Sequence, residues 1–155
     1  MTINLQAFCA KDDVRSYLMT PFVLDGHTCA TNGYILIRVP GGKACDEVMV
    51  AAGVRKMFGE QYADFVPLPT LPERAPCEHC EGTGTECGDD SEHCLSCRGS
   101  GESLTFVQIG DANFQARYLR MIAALPNARI SVKSAEAVAA FMFDGGDGRL
   151  MPCRP

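Results

Sequence analysis

Two short cysteine motifs in the middle of the chain have the residue types and spacing of a metal site. The segments Cys77–Gly84 and Cys94–Gly101 both read C-x-x-C-x-G-x-G. Four thiolates carried in two such pairs can surround one Zn²⁺ tetrahedrally, at sulfur–metal distances of about 2.3 Å. The trailing glycines can adopt positive φ, which lets the backbone fold tightly beneath a metal. The sequence therefore predicts one structural zinc ion, held by Cys77, Cys80, Cys94 and Cys97.

A redox pair or disulfides are the alternative uses of these cysteines. Five of the nine cysteines fall between Cys77 and Cys97, whereas a secreted disulfide scaffold spreads its cysteines more evenly. The spare residues here, Cys87, His79 and His93, are either alternate ligands or solvated bystanders. Paired motifs leave no open coordination position, and a catalytic zinc normally has one, with an acid–base residue nearby. Since no catalytic triad spacing or glycine-rich phosphate loop accompanies the motifs, we expect a protein that is not an enzyme.

The bulk composition predicts one domain in a reducing compartment. The chain has 155 residues, 46% of them hydrophobic, which is enough for a sizeable core. No apolar run approaches the roughly 20 residues that span a membrane, and residues 1–5 have no basic region typical of a signal peptide. We therefore expect a cytoplasmic protein with no membrane contact. Four cysteines outside the motifs are interpreted as core thiols, with a redox role as the alternative: Cys9, Cys29, Cys45 and Cys153.

The charge is divided unevenly between the cysteine region and the rest of the chain. Residues 77–102 contain seven acids and one base, a net charge of −6, so the remainder carries +1 of the total of −5. Four thiolates on Zn²⁺ would add a further −2 locally, and such a region is repelled by phosphate. The segment is therefore expected to be a structural brace or a protein-docking surface rather than a DNA-reading finger.

The residues before the cysteines predict a short helix followed by a three-stranded meander. Asp25-Gly26 and Asn32-Gly33 are hairpin-turn dipeptides. Residues 47 to 62 are expected to be partly helical. The predicted elements are a helix Leu5–Ala10 capped by Asn4 and strands Ser16–Leu24, His27–Thr31 and Tyr34–Val39.

The residues after the cysteines predict the same order, namely a helix and then three strands. Prolines at 67, 69, 72 and 76 separate the two halves by an extended linker. A strand Leu104–Ile109 is expected first, then a helix that Asp111 or Asn113 caps and that runs to about Leu125. Strands Arg129–Lys133, Ala137–Phe143 and Arg149–Arg154 follow, with Gly145–Gly148 as a turn. Residues 1–66 and 103–155 are thus expected to form the two halves of one α+β domain, with 67–102 as linker and zinc insert.

Short stretches at both ends of the chain resemble a known family. Ala10–Leu18 contains D-D-x-R-x-Y-L and Ala30–Leu36 reads A-T-N-G-Y-I-L, while Phe114–Leu119 reads F-Q-A-R-Y-L and Leu150–Arg154 reads L-M-P-C-R. In this order and spacing they resemble the bacterial sliding clamp, the β subunit of the replicative DNA polymerase. The repeated C-x-x-C-x-G-x-G is similar to the zinc module of DnaJ-type co-chaperones, in which four repeats hold two zinc ions; two repeats would hold one.

The clamp resemblance implies a DNA-clamp-like fold of two helix-plus-meander halves. The chain departs from the family pattern at Asn32 and Ile35 and in its cysteine insert. It also has a single domain, so a ring would need several copies. Family helices line the DNA channel, which makes a few basic residues possible DNA-facing groups, although a solvated helix face is the alternative. These residues are Arg117, Arg120, Arg55 and Lys56.

Two functions remain open from the sequence. The first is a non-enzymatic, sliding-clamp-like accessory or adaptor protein in DNA replication or its modulation, related to phages or mobile elements. It would act through a protein partner, with weak DNA contact at most. The second is a co-chaperone-like zinc module that binds proteins on a clamp-like scaffold. The clamp interpretation also predicts exposed Arg117 and Arg120, and it predicts a core containing Leu18, Phe22, Ile35, Ile37, Phe114, Tyr118, Leu119, Phe141 and Met151.

Overall fold

A computed structural model describes residues 2–42, 49–86 and 89–154 of the chain, and for Asp90 the backbone alone. One antiparallel sheet dominates it, with the strand order β1-β2-β3-β11-β10-β9-β4, and two hairpins, β5-β6 and β7-β8, stand apart from it. Helix α1 spans Ala51–Gly59, and α2 spans Ala116–Ala123. The strands are Phe22–Leu24 (β1), His27–Thr31 (β2), Ile35–Pro40 (β3), Val66–Pro67 (β4), Thr85–Glu86 (β5), Asp89–His93 (β6), Phe106–Ile109 (β7), Ala112–Gln115 (β8), Arg129–Ser131 (β9), Ala139–Phe143 (β10) and Gly146–Leu150 (β11).

Both predicted hairpins of the first meander are present, but the second turns one residue later than predicted, because Thr31 lies opposite Leu36 and Asn32 N–H bonds to Ile35 O. Asp25 and Gly26 have φ of 50° and 74°, as a two-residue hairpin with Leu24 opposite His27 requires. In the second turn, Asn32 Oδ1 accepts hydrogen bonds from the backbone N–H groups of Tyr34 (2.9 Å) and Ile35 (3.1 Å). These local bonds set the register of the three strands.

The two meanders meet at the centre of the sheet. The last strand of each, β3 and β11, pair antiparallel with Ile35 opposite Leu150 and Ile37 opposite Gly148. The order of strands is therefore mirrored on either side of this pair, as β1-β2-β3 and β11-β10-β9. The model is thus a mixed, mostly β structure with two helices, which agrees with the predicted α+β class.

Alternation along β3 divides the core between the two faces of the sheet. Ile35 and Ile37 belong to the larger cluster, which also contains Phe8 of a 3-10 turn (Leu5–Phe8) and the apolar stripe of α2. Leu36, between them, belongs to a smaller cluster with α1. The first turn and α2 therefore share one face, and α1 covers the other. The predicted core residues are buried except Met151, which is 43% exposed; that prediction was wrong because Met151 follows the last residue of β11.

Three predicted elements begin or end elsewhere. The segment predicted as strand Ser16–Leu24 contains a 3-10 turn, Ser16–Leu18, and the strand starts only after Pro21, which lacks a donor. The predicted start of the second helix is strand β8, because Gly110 and Asp111 form a two-residue turn that pairs β8 with β7. The glycines at 146 and 148 lie in β11 rather than in a turn. A Cβ at Gly146 would clash with the ring of Phe143, and one at Gly148 would clash with the ring of Phe141, so both positions require glycine.

The other boundaries lie within a few residues of the predicted ones. The first helix is the short turn Leu5–Phe8, and Asn4 makes no side-chain cap bond. The partly helical region 47 to 62 contains α1, while residues 47 and 48 lie outside the described part of the chain. Among the described residues, no helix is long and apolar enough to cross a membrane.

Candidate metal centre

Four cysteine sulfurs converge between the two halves of the chain. The Sγ atoms of Cys77 and Cys94 are 3.9 Å apart, and those of Cys80 and Cys97 are 3.7 Å apart. All four sulfurs lie within 4.8 Å of one another, and all four side chains are buried. A tetrahedron of sulfurs about 2.3 Å from a central zinc has edges of about 3.8 Å. The cluster is therefore compatible with one metal ion coordinated by all four cysteines.

The two motifs present their sulfurs through the same backbone geometry. In the first, Gly84 N–H donates to Cys80 Sγ at 3.2 Å. In the second, Gly101 N–H donates to Cys97 Sγ at the same distance. Each amide supplies a fixed dipole that stabilises negative charge on sulfur. The last glycine of C-x-x-C-x-G-x-G is thus a donor to the second cysteine of its own motif.

The glycines also let the two loops pack against each other. Gly82 and Gly84 have φ of 85° and 80°, and Gly99 and Gly101 have 79° and 74°. A Cβ on Gly84 would lie 2.7 Å from the carbonyl oxygen of Gly99, and one on Gly101 would lie 2.5 Å from that of Gly82. These contacts are reciprocal, so any side chain at either position would separate the loops.

Backbone hydrogen bonds join the loops in the same reciprocal way. Cys77 N–H donates to Gly101 O at 2.9 Å, and Cys94 N–H donates to Gly84 O at 3.0 Å. The first cysteine of each motif is therefore held by the end of the other motif. The repeat seen in the sequence becomes an approximate two-fold arrangement around the four sulfurs.

Burial and hydrogen bonding act in opposite directions on the thiols. Burial alone would raise the pKa of Cys80, but the Gly84 N–H and the neighbouring cysteines together lower that pKa to about 6. Burial raises the pKa of Cys94 to about 11. Four thiolates this close repel one another unless a cation neutralises them, and metal binding displaces their protons. The donor set therefore suits a thiophilic divalent cation such as Zn²⁺.

Glu86 links the two motifs outside the sulfur cluster. Its Oε1 accepts from Leu95 N–H at 2.9 Å, and its Oε2 lies 3.2 Å from His79 Nε2. The Leu95 N–H and His79 lower the pKa of this carboxyl. Ligand atoms of His79, Glu86 and Cys94 lie within 4.8 Å of one another, so His79 as an alternate ligand stays open. Nothing in the sequence pattern singled out Glu86.

The structure tests the predictions for His93 and for the remaining cysteines to different extents. A Cβ on Gly99 would lie 3.1 Å from His93 Nδ1, so the imidazole packs against the second loop, and His93 is exposed. Cys87 lies outside the described residues. Of the cysteines far from the motifs, Cys9 and Cys29 are buried as predicted and Cys153 is partly buried, while Cys45 also lies outside the described part.

Arg120 ties both ends of the cysteine-containing insert, residues 67–102, to helix α2. Its guanidinium donates to the carboxylate of Glu102 and, at 2.8 Å, to the carbonyl oxygen of Pro72. Its side chain is only 14% exposed. The prediction that Arg120 stays exposed was wrong, because Pro72 before the cysteines and Glu102 after them bond to its guanidinium and cover it. The sequence analysis did not predict this role. The acidic residue Glu102 at the end of the insert could have indicated an ion pair with Arg120.

The other candidate DNA-facing residues do not form one surface with Arg120. Arg117 is partly buried, with its guanidinium 4.5 Å from the Tyr118 ring and bonded to the Tyr118 hydroxyl. The prediction of an exposed Arg117 was therefore also wrong. Arg55 and Lys56 are exposed on α1, across the sheet from α2, and Arg55 pairs with Asp25 at 2.8 Å. The structure thus divides the four basic residues between opposite faces.

Comparisons of the chain with known protein families, curated proteins and solved structures found no match.

Proposed function

We propose that this chain is a zinc-binding, non-enzymatic accessory protein that acts as an adaptor through a sliding-clamp-like domain. The observation that carries the zinc is the geometry of its four buried sulfurs, whose spacing suits a tetrahedral tetrathiolate site. Such a site is closed, so the metal stabilises the insert and leaves no position for a substrate. We refer to residues 77–102 as the zinc module.

The clamp-like part of the proposal is supported by the arrangement of the strands. Two meanders, β1-β2-β3 and β9-β10-β11, meet through their last strands, and the short N-terminal turn and α2 pack on one face. This arrangement supports the repeated helix-plus-meander unit that the resemblance implies, with a 3-10 turn in place of the first helix. A role in replication and a phage or mobile-element origin belong to the same proposal and rest on that resemblance alone.

The burial and hydrogen bonding of two arginines favour protein contact over DNA contact. Two of the four candidate residues, Arg117 and Arg120, already bond to neighbouring groups and are partly buried. Phosphate contacts need several free cations along one face, and the zinc module adds negative charge instead. A co-chaperone-like role is the second candidate, favoured by Leu95, which is 84% exposed on the second cysteine loop.

The oligomeric state and DNA affinity test the adaptor proposal. We expect a monomer by size-exclusion chromatography with light scattering, because a ring around DNA needs a positive inner face and both arginines of α2, Arg117 and Arg120, already bond to neighbouring groups. We also expect DNA binding that is weak at low salt and unchanged by Arg117→Ala/Arg120→Ala, with Arg129→Ala as the matched control, since Arg129 is an exposed arginine on β9 outside the candidate set. A closed ring whose salt-sensitive DNA binding is abolished by the double substitution, but not by the control, would show a DNA-tracking clamp instead.

A further inference from the structure

A cleft lies where the zinc module meets the sheet domain. It has a volume of about 230 Å³, and three of the residues lining it are large apolar side chains left half-exposed: Tyr34, Phe106 and Met151. They come from the β2–β3 turn, from β7 and from the segment after β11. Arg98, in the second cysteine loop, contributes a wall from the module side. Apolar side chains from three separate parts of the chain thus share one concave surface.

The polar groups of the cleft favour a ligand with negative charge and an N–H donor. The charged residues among those lining it are Arg98 and Arg154, both cationic. Gln115 also lines the cleft; it is only 4% exposed, and its Oε1 accepts no hydrogen bond within the described part of the chain. A buried acceptor without a donor is costly unless a ligand supplies one.

We propose that this cleft docks a short segment of a partner protein in which an apolar side chain lies next to a carboxylate, and that the zinc module supplies the carboxylate-binding wall through Arg98. The apolar side chain contacts Tyr34, Phe106 and Met151. A backbone N–H of the segment reaches Gln115, and the carboxylate meets the arginines. The volume suits one or two side chains rather than a folded domain.

A peptide fits this surface better than a nucleic acid strand. Aromatic rings beside arginines also suit single-stranded DNA, but a strand carries a phosphate at every nucleotide. The module that carries Arg98 has a net charge of −6 before any thiolate is counted. Its acids repel a row of phosphates more than they repel one or two carboxylates placed against the arginines.

The position of Arg98 depends on the metal site. Arg98 follows Cys97 directly and has φ of 54°, which is strained for a residue with a side chain. Among the described residues of the module, the buried cluster consists of the four cysteines, so these residues provide no other apolar core to hold the loop when the metal is absent. The opposite wall belongs to the sheet domain. Metal loss therefore removes one wall and keeps the other, and this inference rests on the zinc of the proposed function.

Fluorescence anisotropy on the full chain tests the inference, with the labelled peptide Gly-Ser-Phe-Glu-Glu-Ser amide as the probe. Replacing its glutamates by glutamine, or its phenylalanine by alanine, should each weaken binding to the zinc-loaded protein. Met151→Ala should weaken binding by about fivefold, because an apolar contact is lost. Met142→Ala is the matched control, since Met142 is also 43% exposed but lies on β10, outside the cleft. Arg98→Ala should weaken binding by about fivefold and Arg129→Ala should not.

Two further measurements complete the test: probe binding after zinc removal by a chelator, and binding of a short oligonucleotide. Zinc removal should weaken binding at least as much as Arg98→Ala, with zinc content measured in every sample. Equal binding of the probe and its glutamine and alanine analogues, unchanged binding after chelation, or preference for a short thymidine oligonucleotide would each overturn the inference. A protein that holds zinc but does not bind the probe contradicts the cleft alone, whereas a protein without zinc contradicts the proposed function first.

Discussion

Replacing Cys77 or Cys97 by serine should release the metal from the protein. Each residue contributes one of four sulfurs to a closed site, and a hydroxyl is a much poorer zinc ligand than a thiolate. Structural zinc sites of this kind contribute about 10–16 kcal/mol of binding free energy. Zinc content of the purified variants, measured by elemental methods in reducing buffer, should therefore fall from near one equivalent to near zero.

Cysteines outside the cluster provide the matched controls for these variants. Cys87→Ser should keep its zinc, because four other sulfurs already complete a tetrahedron, and Cys153→Ser should keep it because Cys153 lies far along the chain from the motifs and near strand β8. Full loss of zinc from Cys87→Ser, or from His79→Ala, with retention in Cys77→Ser would show that the ligand set is different.

Chelating the metal should unfold the zinc module and leave the sheet domain folded. Among the described residues of the module, the cysteines are the buried apolar side chains, whereas the domain has a large core that includes Phe114, Phe141 and Leu150. Hydrogen exchange resolves the two regions. The amides of Gly84 and Gly101, which donate to sulfur, should change from protected to freely exchanging when the metal is removed.

Strand amides are the internal control for the exchange experiment. β10 and β11 pair over five residues each at the centre of the domain, so their amides should keep their protection after chelation. Loss of protection in these strands together with the module would mean that the metal supports the whole fold. Continued protection of Gly84 and Gly101 without metal would mean that the loops fold through hydrogen bonds alone.

The sulfur cluster could be predicted from sequence because its geometry is local. A repeated C-x-x-C-x-G-x-G contains both the ligands and the glycines that bring the loops together, and the structure uses Gly84 and Gly101 in this way. The hairpin turn at Asp25-Gly26 was equally local. In both cases the residues that cause the conformation are the residues that adopt it.

Features that depend on tertiary packing were not predictable in the same way. Gly146 and Gly148 look like turn residues, but they are glycines because two phenylalanine rings pack over them. Arg120 has the spacing of a solvent-facing helix residue, yet Glu102 and Pro72, far away in the chain, bond to it. Met151 has the hydrophobicity of a core residue but lines the cleft. Each depends on a partner that only the fold brings near.

The zinc content of the reduced, folded protein, purified without added metal, tests the central claim most directly. Four buried sulfurs at tetrahedral spacing predict close to one equivalent of zinc per chain. A value near zero in protein that remains folded and reduced would contradict the proposed metal centre.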